Sequence, residues 1–290
     1  MKIDVQLINA FVEGDAGGNP AGVVLDADAL SDAQKQRVAQ RVGYSETAFV
    51  SASASADFKL DFFTPARRIA HCGHATIAAF SYLSQLGRIK GPDSSKETVD
   101  GTRAIQLRGE LAFMEQTAPV YASLEGWQET IRASLQLDPA ALLPGAVPLL
   151  VNTGNSFVVI PVADASTLAR LQPDLDLIRH VSEALDLVGY YVFTLDTRRP
   201  GRHAAARMFG PRYGIAEEAA TGMAAGPLAA YLHDQLGLDA NPFLIEQGAY
   251  MPVPSPSLIR VELLKAGSRI DKLFVGGKGR VTGRKTVEVP

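Results

Sequence analysis

Cys72-Gly73-His74-Ala75-Thr76 opens a run of small and apolar residues reaching Leu86, and a second run opens with Thr221-Gly222-Met223-Ala224. Laid on each other, the two runs are offset by 149 residues, about half of the 290-residue chain. Without a gap, Tyr82-Leu83 then falls on Tyr231-Leu232. Each run is preceded by a Phe-x-Pro, Phe63-Thr64-Pro65 and Phe209-Gly210-Pro211. Earlier still, Gly18-Asn19-Pro20 before Ala21-Gly22-Val23-Val24 has an echo in Gly154-Asn155-Ser156 before Phe157-Val158-Val159-Ile160. Small-residue helices look alike, so one match means little. Three in the same order point to a duplicated lobe, because the spacing is far too long for a solenoid period.

The expected architecture is therefore α+β, with two pseudo-symmetric lobes, each a curved mixed sheet wrapped around one central apolar helix. Lys2 to Val12 alternates like a strand, while Ala21 to Leu25 and Phe58 to Phe63 read as short buried strands. Ser31 reads as the N-cap of a helix through Arg41, with Gly43 as its stop. Gly73 to Leu86 is apolar nearly all round, which predicts a helix buried on most sides and closed by Gly87. The lobes are expected at 1–118 and 119–266, with the junction between Ala118 and Trp127 and the tail, about 267–290, packing back on the first lobe. A cleft between two such lobes would be the place for a ligand.

Composition narrows the function. The chain is 47% hydrophobic and 20% charged, with a net charge of -3, so neither nucleic acid nor an anionic membrane is an expected partner. The basic residues between Lys265 and Lys285 read as a solvated strand face. No run of about 18 apolar residues suggests a membrane span. The start, Met1-Lys2-Ile3-Asp4-Val5-Gln6, lacks a signal-peptide pattern, and a single cysteine forbids an internal disulfide. A cytoplasmic location is the simplest expectation.

The candidate chemistry centres on the two helix starts. Gly73 and Gly222 each open a helix whose first N–H groups lack partners and lie at the positive end of the dipole. Glycine allows a ligand close to that backbone, so both can grip a small anion. Tight packing is the alternative reason for either glycine. Glu46 sits among Tyr44, Ser45, Thr47, Ala48, Phe49 and Val50 with no basic neighbour. Apolar surroundings raise a carboxyl pKa and suit it to general acid/base work, although a capping or solvent-facing glutamate reads the same way. His74 can donate to a ligand or relay a proton. His71, Cys72 and His74 lack the separated second pair of a metal site, so no metal is expected. Cys72 at a helix start could be nucleophilic. Its counterpart is Thr221, which rules out a two-thiol racemase. Phosphate-loop, nucleophile-elbow and dinucleotide fingerprints are absent, and the chemistry is expected to need no cofactor.

Together, Gly18-Asn19-Pro20-Ala21, Ser45-Glu46-Thr47-Ala48-Phe49, Phe63-Thr64-Pro65, Cys72-Gly73-His74-Ala75-Thr76, Ala220-Thr221-Gly222, Gly226-Pro227-Leu228-Ala229-Ala230-Tyr231, Glu246-Gln247-Gly248 and Val275-Gly276-Gly277 resemble the PhzF-like family of phenazine-biosynthesis proteins. That family shares the diaminopimelate epimerase fold. The resemblance spans almost the whole chain and implies isomerisation of a small carboxylic acid without metal or cofactor. It implies that Glu46 takes a proton from one carbon and returns it to another, with Gly73, His74 and Gly222 holding the substrate. It also implies a homodimer. Three positions depart from the family pattern. Glu218 stands where an aspartate is usual, Met223 where a serine is usual, and Val253 where an arginine is common. Loss of a hydroxyl at Met223 removes a hydrogen-bonding partner and alters discrimination, so a substrate other than the phenazine precursor is expected, held in part by Glu218 and Met223. The alternative is a catalytically reduced small-anion binding protein on the same scaffold.

Overall fold

The computed structural model describes residues 1–289 and is a sheet-dominated mixture of parallel and antiparallel strands with few helices. It separates into two compact units, Met1–Glu115 with the segment from Gly276 onward, and Gln116–Val275. The division falls inside the strand Leu111–Thr117, ahead of the 118–127 stretch. No helix among the described residues is long and apolar enough to cross a membrane.

In the first unit, Lys2–Ala10 pairs antiparallel with Asn19–Val24, which runs parallel to Thr47–Ser51. Thr47–Ser51 pairs antiparallel with Phe58–Phe63, and Phe58–Phe63 runs parallel to Asp93–Thr98. Antiparallel steps lead on through Gly101–Arg108 to Leu111–Thr117. The last strand, Arg269–Glu288, pairs with both Leu111–Thr117 and Lys2–Ala10, so the sheet closes on itself. A closed sheet has no exposed edge.

The helix Gly73–Gln85 lies inside this ring. Ten of its 13 residues are buried, as the all-round apolar pattern demands. It packs tightly against the wall at Gly279, where an added Cβ would stand 2.5 Å from the Ser81 Cβ. The Gly279 N–H donates to Ser81 Oγ at 3.1 Å. Outside the ring packs the helix Asp32–Val42, started by Ser31 in a capping box with Gln34 and stopped by Gly43 at φ +77°. Val38, Ala39 and Val42 bury against Val5, Val24, Phe49, Phe63 and Val287.

In the second unit, pairing runs from Val120–Ala122 through Leu149–Asn152, Ser156–Pro161, Gly189–Thr194 and Ala204–Gly210 to Phe243–Gln247 and Ser257–Ala266. Alternate residues face opposite sides. Val158, Ile160, Tyr190, Val192, Ala205 and Phe209 bury against an outer layer of short helices through Ile131, Leu168, Ile178 and Val181. The other face meets the helix Gly222–Asp234, with the Phe193 and Tyr231 rings edge-on at 5.6 Å. Ten of that helix's 13 residues are buried as well. Both faces of the sheet are covered, which is why Gly189–Thr194 and Ala204–Gly210 are buried throughout. The basic residues between Lys265 and Lys285 lie on the last two strands and are exposed or partly buried.

Candidate active site

Glu46 immediately precedes Thr47–Ser51, at the mouth of a strand paired on both sides. Its carbonyl accepts the Gly22 N–H at 3.1 Å. A Cβ at Gly22 would come within 2.8 Å of Thr47 Oγ1, so glycine permits the close register that places Glu46.

Cys72 is the N-cap of the first central helix, in extended conformation at φ -146°. Its side chain caps no helix N–H; Sγ lies 3.6 Å from His74 Nδ1 instead. The other ring nitrogen, Nε2, stands 3.3 Å from Glu46 Oε2. Glu46, Cys72 and His74 thus present their reactive atoms within 4.8 Å of one another, and all three side chains are buried at 6% exposure or less. Each imidazole nitrogen faces a different partner. The Nε2–Oε2 approach is a charge-pair distance rather than an aligned hydrogen bond, and a proton on Nε2 leaves Nδ1 as the acceptor for the thiol, a tautomer inferred from the partners. That arrangement can keep a buried carboxylate ready to accept a proton and can carry one onward. His71 is turned elsewhere, with Nδ1 3.2 Å from Lys96 Nζ.

The second helix start is held by side chains from several strands. Thr221 is the N-cap of Gly222–Asp234, and its side chain also caps no N–H. Its hydroxyl donates to Glu218 Oε2 in a short contact. Gln247 then braces the turn: Nε2 donates to the Glu218 carbonyl at 2.8 Å and to Thr221 Oγ1 at 3.1 Å, and Oε1 accepts the Thr221 N–H at 2.9 Å. Tyr191 OH donates to the same Oε1 at 2.8 Å. Burial and the nearby charge of Glu218 both push the Tyr191 hydroxyl well above its ordinary pKa, keeping it a donor. Behind the start, Gln116 Nε2 donates to the Gly222 carbonyl at 3.0 Å, and Gln116 Oε1 accepts from Thr153 Oγ1 at 2.7 Å. Glu218 and Gly222 are buried, and Met223 is partly buried.

Glu46, Gly73 and His74 therefore form one cluster in the first unit, while Glu218, Gly222 and Met223 form another in the second. At both helix starts the N-cap side chain meets another side chain rather than a helix N–H. This leaves first-turn N–H groups uncapped by it, the condition for anion binding. Sequence reading missed Gln116, Tyr191 and Lys96. Gln247 was visible only as part of Glu246-Gln247-Gly248, with no signal for its bracing role.

The phenazine biosynthesis-like protein family model matches residues 8–284. A Deinococcus radiodurans protein named as an uncharacterized isomerase is 35% identical over 282 residues, covering 93% of this chain and 90% of the relative. The trans-2,3-dihydro-3-hydroxyanthranilate isomerase of Pseudomonas fluorescens is 29% identical, covering 97% of this chain and 98% of the relative. The crystal structure of the Bacillus anthracis PhzF-family phenazine biosynthesis protein superposes with a TM-score of 0.91 at 28% identity, over 100% of both chains. The chain belongs to the phenazine biosynthesis-like protein family and is an isomerase of the PhzF type.

Proposed function

We propose that this isomerase moves a proton by general acid/base catalysis on a small carboxylic acid, cyclic acids included, without a cofactor. Glu46 removes a proton from one carbon and the freed electron pair delocalises into the adjacent unsaturated or carboxylate system. The same carboxyl group returns the proton to another carbon, so the reaction is redox-neutral. The observation that carries this reading is the buried Glu46 carboxylate 3.3 Å from His74 at an uncapped helix start. The substrate class has support from the relative named as acting on a dihydro-hydroxyanthranilate.

In this proposal the residues at both helix starts act on the substrate. His74 and Glu218 position it, Gly73 and Gly222 present backbone N–H groups to it, and Met223 shapes its selection. A cytoplasmic homodimer is part of the same reading. The test is a screen of cyclic and amino carboxylic acids in deuterated water, starting from trans-2,3-dihydro-3-hydroxyanthranilate. Stereospecific deuterium uptake at carbon supports the proposal. Binding of acids with no exchange of any of them would overturn it.

A further inference from the structure

We propose that Lys96 is a positioning residue of the active site, a buried amine that braces the Cys72–Thr76 helix start and, in its protonated form, favours ionisation of Cys72. The proposal rests on the reading of that helix start as the active site, and its test needs no substrate.

Lys96 sits on the strand Asp93–Thr98, in phase with buried Ser94 and Thr98. It is wholly inaccessible to solvent, and among the described residues no carboxylate forms an ion pair with it. Bare burial of an ammonium is costly, so such a group either finds donors' partners or loses its proton.

The neighbours of Nζ define what it can do. Thr76 Oγ1 lies at 2.8 Å, Met114 Sδ at 3.3 Å and His71 Nδ1 at 3.2 Å, and the Phe62 ring centroid is 5.5 Å away. The Thr76 hydroxyl gives its own hydrogen to the Cys72 carbonyl at 2.6 Å, so it must accept from Lys96. A thioether only accepts. Two N–H groups are thereby committed, and the third position faces His71. With three hydrogens, Lys96 donates to a bare Nδ1. With two, it accepts from Nδ1–H after one proton has left and the imidazole has changed tautomer. His71 is partly exposed and is the group through which that proton reaches solvent.

The charged groups around the amine are few. Burial is the largest influence and lowers its pKa; Cys72 and Asp100 favour the charged form, and Arg103 opposes it, leaving the group at about 7. Burial, Lys96 and Arg103 hold His71 well below its usual value, so the proton of the pair resides on the amine. A Lys96 ammonium and a Cys72 thiolate favour each other by the same Coulomb energy, and the Lys96–Thr76–Cys72 chain ties that charge to the first turn of the helix.

Cys72 is the only cysteine, so thiolate absorbance near 240 nm as a function of pH reports this residue alone. Lys96→Met is expected to raise the Cys72 midpoint by about one pH unit, a tenfold loss of thiolate below the midpoint. Lys96→Arg, which keeps the charge, is expected to restore it. In the wild-type protein, side-chain NMR of labelled lysine should show one lysine titrating near pH 7. An unchanged Cys72 midpoint in folded Lys96→Met overturns the proposal, as does a Lys96 midpoint that Cys72→Ser leaves unmoved where a downward shift is expected. The lysine measurement on Cys72→Ser decides the matter if Lys96→Met does not fold. Failure of Glu46 as the proton-transfer group would leave these readouts unmoved, which separates the two claims.

Discussion

His74 Nε2 stands 3.3 Å from Glu46 Oε2, and the opposite ring nitrogen stands 3.6 Å from the Cys72 thiol. The imidazole therefore meets both reactive side chains through its own nitrogens, and its loss should be felt in turnover more than in binding. His74→Leu is expected to lower the rate of carbon-bound deuterium exchange by about 100-fold. His74→Gln, which retains an amide donor, should lose less. The check is single-turnover exchange at saturating substrate. A His74→Leu rate within twofold of wild type would show that the contact is idle.

Asp61 ties the outer helix of the first unit to its sheet. Lys35 Nζ lies 2.5 Å from Asp61 Oδ2, both side chains being 7% exposed or less, and Arg68 contacts the other oxygen. Burial alone would raise the Asp61 pKa. The Lys35 hydrogen bond and the charges of Lys35, Arg68 and Lys59 outweigh it and hold the carboxyl below its usual value. A depressed folded-state pKa stabilises the fold above the unfolded value and loses that contribution as pH falls through the folded one. Lys35→Met should cost about 1–3 kcal/mol in urea denaturation at pH 7, because it leaves a buried carboxylate with Arg68 as its remaining close cation. The difference from wild type should shrink below pH 4 as Asp61 protonates in the variant.

Gly226 is the space into which Gln116 reaches. A Cβ there would fall 1.8 Å from Gln116 Oε1, whose amide holds the Gly222 carbonyl and Thr153. Gly226→Ala should therefore cost about 1–3 kcal/mol despite the better helix propensity of alanine. In a Gln116→Ala background the clash is gone and the same change should be neutral or stabilising by up to about 1 kcal/mol. A double-mutant cycle by chemical denaturation reads this reversal of sign. Equal costs in the two backgrounds would contradict it.

Lys96 also predicts a slope of stability with pH. Its folded-state pKa, about 7, lies below the ordinary lysine value. Between the two, the unfolded chain binds a proton that the folded chain does not, so this residue's contribution to stability rises with pH from about 7 to about 10. The stability of wild type relative to Lys96→Met should increase across that window by up to about 1.4 kcal/mol per pH unit. Urea titrations at pH 6, 7, 8 and 9 on both proteins test it, with other groups cancelling in the difference.

Local signals made much of this legible. Ser31 and Gly43 mark the ends of Asp32–Val42 because capping chemistry is short-range. The unbroken apolar character of Gly73–Gln85 announces a helix buried all round. Return of the tail to the first unit was expected, but the register that closes the sheet, Lys2 against Glu288 at opposite ends of the chain, was not legible, because such pairing leaves no local pattern. The site divides in the same way. Glu46, His74 and Gly222 stand out through their surroundings and their resemblance to a known family. Lys96, in Asp93-Ser94-Ser95-Lys96-Glu97-Thr98, reads as a solvated strand residue, since only the tertiary fold makes its face the inner one. Gln116 and Gln247 act on helix starts about 106 and 26 residues away, distances at which an amide carries no sequence signature.

The most direct test of the account is Glu46→Gln, which keeps the shape of the side chain and removes its basicity. Calorimetry should show binding of a carboxylic acid substrate close to that of wild type, while mass spectrometry in deuterated water should show carbon-bound exchange reduced by at least about 1,000-fold. Retention of wild-type exchange by folded Glu46→Gln would contradict the assignment of proton transfer to Glu46.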